Sequence, residues 1–225
     1  MGKDQARPWR DHGLLLVNLA LFAVFLVGMA LTGWHVHNAE ELAHGSRAVG
    51  LLGYLRTGDF LEATFENWES EFLQMGMYVV LTVKLFTRGS SESKPLDEPA
   101  PQDEDPRLHR DDPEAPWPVR RGGWLLTAYE HSLSAFFLLC FAGSVWLHAV
   151  GGAAAYSDEE LAHGEAPVTA WQYLGTSQFW FESFQNWQSE FLAVAAIVGA
   201  SIWLRERGSA ESKPVHEPHR QGTGA

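Results

Sequence analysis

"LLLVNLALFAVFLVGMALT" fills residues 14–32, and Asn18 is its only strongly polar side chain. A helix needs roughly 20 apolar residues to cross a hydrocarbon core of about 30 Å, so this stretch predicts a membrane crossing. Residues 132–152, "SLSAFFLLCFAGSVWLHAVGG", read the same way, with His148 as the sole ionisable group. Two shorter apolar runs, 72–87 and 191–204, reach spanning length only if the helix also takes in the "NWxSE" residues before them. The chain therefore reads as an all-α membrane protein with four transmembrane helices. The first apolar run is too long for the core of a secretory signal, and no small-x-small site precedes "HNAEELAHG". It is read as a retained helix.

The 225 residues are 46% apolar, but that content is segregated into these runs. Lys and Arg orient them. Lys3, Arg7 and Arg10 precede the first run; Arg88, Lys94, Arg107, Arg110, Arg120 and Arg121 lie between the second and third; Arg205, Arg207, Lys213 and Arg220 follow the fourth. The two remaining loops hold only Arg47 and Arg56. The positive-inside rule puts both termini and the central loop in the cytoplasm. A net charge of −12 argues against a nucleic-acid partner. Much of it sits in a Pro-rich acidic stretch at 96–118, expected to be a solvated linker. A single cysteine, Cys140, excludes an intrachain disulfide.

The chain is written twice. A gapless offset of 119 aligns 12–95 with 131–214, and 34 of those 84 positions are identical. The matches concentrate in "EELAHG" at 40–45 and 159–164, in the "NWxSEFL" run at 67–73 and 186–192, and in "RGSxESKP" at 88–95 and 207–214. Internal duplication at this level predicts a repeat architecture. Each unit holds two crossings, so both copies insert in the same orientation, related by an axis along the membrane normal. The expected organisation is a cytoplasmic N-terminus (1–12) and repeat 1 (13–95), with crossings near 13–32 and 68–87. A linker (96–123) leads to repeat 2 (124–214), with crossings near 131–152 and 187–205, and a cytoplasmic tail (215–225) ends the chain. Gly45 and Gly164 are read as helix C-caps, Asp59 and Ser177 as N-caps, and Gly89 and Gly208 as helix stops.

Three motifs could carry chemistry. On a helix, Asn67 and Glu71 share a face, as do Trp68 and Phe72. With Ser70, and with Asn186, Trp187, Ser189, Glu190 and Phe191 in the second copy, they form an interfacial anchor or, through Glu71 and Glu190, a buried carboxylate pair. Glu41 with His44 and Glu160 with His163 make two Glu-x-x-His motifs. Together with Glu71 and Glu190 they resemble the ligand set of di-iron carboxylate bundles, set against the plainer reading of acidic helical turns with a capping histidine. Met29 and His148 are read as packing residues rather than haem ligands. No Walker loop, GxGxxG, HExxH, nucleophile elbow or CxxC is present.

With both "NWxSEFL" copies, both "EELAHG" copies and both "RGSxESKP" tails in view, the chain resembles a family of small bacterial integral membrane proteins. That family carries a domain of unknown function marked by a duplicated "FQNWQSEFL"-like signature. Repeat 1 departs from that form with Glu66 and Glu69 where repeat 2 has Gln185 and Gln188. The resemblance implies a membrane location and no particular activity. The expected function is non-enzymatic: a structural or partner-binding protein of the bilayer, with a membrane or cytoplasmic protein partner and no cofactor. Two alternatives stay open, a cation or proton conduit using Glu71 and Glu190, and a metal-binding membrane oxidoreductase.

Overall fold

The computed structural model describes residues 8–162 and 164–220, and no strand occurs among them. Three helices make up the first repeat: α1 (Pro8–Ala43), the single turn α2 (Leu51–Tyr54) and α3 (Gly58–Leu81). Two 3₁₀ turns, Pro101–Asp103 and Pro106–His109, lie in the linker, followed by α4 (Trp117–Arg121) and α5 (Trp124–Glu130). The second repeat has α6 (Ser132–Ala162), α7 (Ala170–Tyr173) and α8 (Ser177–Ala200). The offset of 119 carries the end of α1, and both ends of α2 and α3, onto their counterparts without a residue of slip. It also maps a break. His12 sits at φ −133°, ψ 17° inside α1, and His131 at φ −110°, ψ 8° separates α5 from α6.

Two helices are long and apolar enough to cross a membrane, Asp11–Ala43 within α1 and Ser132–Leu161 within α6. None of the apolar window of α1 is covered by the described protein. α3 and α8 do not meet the same measure, because each spends its first half on polar and acidic residues.

The chain divides into two compact units. The first comprises the chain up to Ala63 with Val150–Ala170, and the second Thr64–Ala149 with Trp171 onward. In the first unit, "EELA" at 40–43 and 159–162 forms the last turn of each long helix, α1 and α6. α1 ends as expected at Gly45, whose φ of 79° places it in the left-handed region. There Gly45 N donates to Leu42 O and Ser46 N to Glu41 O, the paired bonds of a Schellman cap. Asn38 fastens the loop that follows, with Nδ2 donating to Val49 O at 3.0 Å and Oδ1 accepting from Val49 N at 2.7 Å. Its counterpart Ser157 does the same for Val168, the equivalent residue, with a shorter side chain. The expected cap Asp59 pairs instead with His37 at 2.6 Å, and Thr57 Oγ1 receives the Phe60 N–H at the start of α3. Gly58 of α3 and Gly151 of α6 allow the two backbones to touch: a Cβ on Gly151 would lie 2.5 Å from Glu62 N and 2.8 Å from Leu61 Cβ.

In the second unit, α8 is capped by Thr176, whose hydroxyl accepts from Phe179 N, rather than by Ser177. α3 and α8 end at Leu81 and Ala200, well short of the expected stops at Gly89 and Gly208. The next residue in each copy, Thr82 or Ser201, turns its hydroxyl back onto the helix carbonyls. Such bonds compete with the main-chain ladder and weaken a helix end. Gly89 (φ 85°) and Gly208 (φ 89°) instead form the turn of the "RGSxESKP" segment. That segment folds identically in both copies. Ser93 Oγ accepts from Thr87 N and Ser212 Oγ from Glu206 N, each at 2.9 Å. The two segments clasp each other, with Ser90 Oγ 2.9 Å from Ser201 Oγ and Ser91 Oγ donating to Glu211 O at 2.9 Å. Lys213 is buried there, its ammonium donating to the carbonyls of Pro218 and His219, and desolvation followed by the Arg205 charge lowers its pKa.

Candidate functional site

Within the second unit, one cluster of ionisable side chains lies at the centre. His148 on α6 and Glu69 on α3 are fully buried. His148 Nδ1 is 3.1 Å from Glu69 Oε2, and Nε2 is 3.2 Å from Glu182 Oε2 on α8. Repeat 1 thus supplies one acid, and repeat 2 the histidine and the other acid.

The remaining partners complete the hydrogen bonding of the cluster. Glu69 Oε1 accepts from Ser183 Oγ at 2.6 Å and from Trp187 Nε1 at 3.2 Å. Glu182 accepts from the Tyr173 hydroxyl and from Gln178 Nε2, both at 2.5 Å. Indole and amide N–H groups only donate, so Glu69 accepts from Trp187 and Glu182 from Gln178, and each carboxyl has three polar side chains around it. An imidazole donates from both nitrogens only when it carries both protons. Both ring nitrogens of His148 thus face a glutamate oxygen, an arrangement that an imidazolium between two carboxylates satisfies in full. Burial pushes Glu182, which precedes the crossing read in α8, toward protonation. Hydrogen bonds from His148, Tyr173 and Gln178 outweigh it and hold its carboxyl below the ordinary glutamate range.

Rings enclose the cluster. Phe179 lies 4.7 Å from the His148 ring centre, and Tyr173 meets Phe179 edge-on at 5.9 Å. The first repeat has the same edge-on pair, Tyr54 and Phe60, at 5.5 Å, but no charge beside it in the histidine position, where Met29 stands. One turn before Glu69, Glu66 accepts from Gln185 at 3.1 Å and from Asn186 at 2.5 Å. Gln185 is the repeat-2 counterpart of Glu66, so equivalent positions of the two copies meet here.

The residues predicted from the shared motifs are distributed differently. Glu71 is exposed and Glu190 half-buried, its carbonyl accepting from Gln74. Trp187 and Asn186 belong to the buried cluster and its margin. Ser70 is buried and bonds back to Asn67 O, and Ser189 does the same to Asn186 O while remaining exposed. Trp68 stacks edge-on with Phe65, and Phe72 contacts Phe137. Asn67 and Phe191 are exposed. Of the six residues read as metal ligands, Glu41, His44 and Glu160 belong to the first compact unit, Glu71 and Glu190 to the second, and His163 lies outside the described residues. His44 Nδ1 meets Glu40 O at 2.9 Å, as a capping histidine does, and Glu160 bonds Tyr156.

Glu69, His148 and Glu182 were not singled out by their motifs, because no motif contains all three. The signal available was difference rather than likeness. At the equivalent positions the other copy has Gln188, Met29 and Ala63, so an ionisable group appears in one copy where the other has none.

Fold and site together define a tandem-repeat helical protein whose two halves close a buried acid–histidine–acid cluster. The chain belongs to the family described as a domain of unknown function, DUF6766, which matches residues 5–225. Neither the curated proteins nor the solved structures yield a match.

Proposed function

We propose that this is a multi-pass inner-membrane protein of structural or partner-binding type, without enzymatic activity. It crosses the bilayer four times, with both termini and the linker in the cytoplasm. The bare surface of α1 carries this reading: Leu14 is 82% and Phe25 70% exposed, in a run, 14–32, that is apolar on every side apart from Asn18. Such a helix is stable within a protein interior or in lipid, where its own hydrogen bonds satisfy the backbone. α6 supports the same reading, and the Lys and Arg distribution supports the orientation. Single cysteines at Ser46, Asp111 and Ser209, in a Cys140→Ser background, test it with a membrane-impermeant maleimide on intact spheroplasts. Ser46→Cys is expected to react, and the other two only after permeabilisation. Reaction of Ser46→Cys and Asp111→Cys from the same face would reject the four-span topology.

A second reading, a proton conduit, is favoured by the buried cluster at the ends of the crossings, since ionisable groups buried in helical membrane proteins mark proton relays. It centres the conduit on Glu69, His148 and Glu182 instead of Glu71 and Glu190. The combined variant Glu69→Gln/His148→Met/Glu182→Ala gives each position the residue of the other copy. Loss of proton flux into liposomes with the fold retained would assign the cluster to conduction. Equal flux in wild type and variant would leave it a structural clamp.

A further inference from the structure

The segment "WPVRRGGWLL", residues 117–126, forms α4, a reversal at Gly122 and Gly123, and the first half of α5. Both glycines have positive φ, 70° and 64°, which lets the chain fold back within two residues. The two short helices split their large apolar side chains between two faces. Val119 and Leu126 are buried, whereas Trp117 is 58% and Trp124 77% exposed. Tyr129 is exposed on the same helix as Trp124, and Arg120 and Arg121 are exposed beside Trp117. The Arg110 guanidinium carbon comes within 3.9 Å of where a Cβ on Gly122 would lie. The exposed side therefore carries indole rings and guanidinium groups together. Four residues after Leu126 the helix ends at Glu130, breaks at His131, and α6 begins its apolar run at Ser132.

From this arrangement we infer that α4 and α5 form a docking surface for the anionic headgroup layer of the cytoplasmic leaflet. The inference rests on the membrane reading above. Charge complementarity selects the occupant. Arg120 and Arg121 offer four guanidinium-borne NH₂ groups to phosphate oxygens, while tryptophan prefers the headgroup depth, where its ring is shielded and its N–H stays hydrated. Continuity with α6 supplies the position: a segment that breaks at His131 and immediately enters an apolar span emerges where that span meets the headgroups. The nearby acids Asp111, Asp112, Glu114 and Glu130 are all exposed and oppose the field of the arginines. Docking therefore depends on both the rings and the charge. Each basic residue at an anionic surface adds about fivefold to binding, so the pair adds on the order of 25-fold to the docked population.

A spin label at Ala128→Cys, one turn beyond Trp124, reports the depth of α5 while leaving both tryptophans in place. A second label at Phe25→Cys on α1 reports the membrane reading independently. Both are made in full-length protein carrying Cys140→Ser and reconstituted in nanodiscs of phosphatidylcholine, with or without phosphatidylglycerol. The expected result is headgroup depth for the α5 label with phosphatidylglycerol, and a return toward water in Arg120→Glu/Arg121→Glu or in phosphatidylcholine alone. An α5 label in water under both lipids, while the α1 label reports the acyl region, would overturn the docking surface and leave the membrane reading intact. Equal α5 depth in both lipids would overturn the anionic-headgroup assignment. An α1 label in water would reject the membrane reading, and this inference with it.

Discussion

At position 148 a histidine stands where the first repeat has Met29, and with it an ionisable group enters the apolar run 132–152 of α6. Its two carboxylate partners make a charge there tolerable, and the same pairing makes each member costly to remove alone. His148→Met should leave Glu69 and Glu182 buried without a cation, a loss of about 3–5 kcal/mol when one partner of a buried ion pair is deleted. Replacing a whole buried ionic group by neutral residues of fitting volume is often close to neutral. The combined Glu69→Gln/His148→Met/Glu182→Ala variant should therefore unfold nearer to wild type than the single variant does. Thermal unfolding of both in the same detergent decides it, and a triple variant no better than His148→Met would refute the charge-balance account. A second residue-scale effect lies in the clasp. The Glu92 charge, with burial and a hydrogen bond adding to it, holds the Glu211 carboxyl above its ordinary pKa. A raised acid pKa means that folding is opposed once the group is ionised. The clasp should be most stable below the ordinary glutamate pKa and lose that advantage as pH rises through the elevated folded value. Glu211→Gln should flatten this dependence, as measured by hydrogen exchange of the Ser91 and Glu92 amides between acid and neutral pH.

At the scale of elements, the contact between the start of α3 and the end of α6 depends on glycine. Gly151→Leu must displace the backbone around Leu61 and Glu62, since even a Cβ would fall within 2.5 Å of Glu62 N. By contrast, a Cβ on Gly143 in the same helix meets nothing within 4 Å. Gly143→Ala should stabilise α6 by up to about 1 kcal/mol through helix propensity, while Gly151→Leu lowers the unfolding temperature. Equal tolerance of both would show that the close approach does not exist. The helices themselves were legible in the sequence because apolar runs and the 119-residue offset carry over into backbone structure. Their ends were less legible. The hydroxyls of Thr82 and Ser201 were available to read, but whether such a side chain turns back on its helix or outward depends on packing. The buried cluster was hidden for a related reason. Attention to "NWxSE" follows what the copies share, whereas Glu69, His148 and Glu182 are what they do not share. Pairing across 79 and 34 residues of chain is a property of the folded bundle.

For the whole molecule, the differences between the two copies explain why this cluster has no counterpart at the equivalent positions of the other copy. Two identical copies would place the same residues at both equivalent positions, giving either two clusters or none. Because the copies differ, repeat 1 sets Glu69 opposite a histidine and an acid that only repeat 2 carries at those positions. The clasp has the same dependence, since Ser90 and Ser91 from one copy bond to Ser201 and Glu211 from the other. Neither half can complete these contacts with itself. The chain cut in its exposed linker between Asp111 and Asp112 should therefore reassemble when both fragments are co-expressed in one membrane. The fragments should co-purify through a tag on either one, and each expressed alone should be degraded or should aggregate. His148→Met in the second fragment should weaken co-purification, because it leaves the first fragment's Glu69 without its cation. Stable accumulation of either fragment alone at wild-type level would contradict this mutual dependence, because each repeat would then be a self-sufficient hairpin.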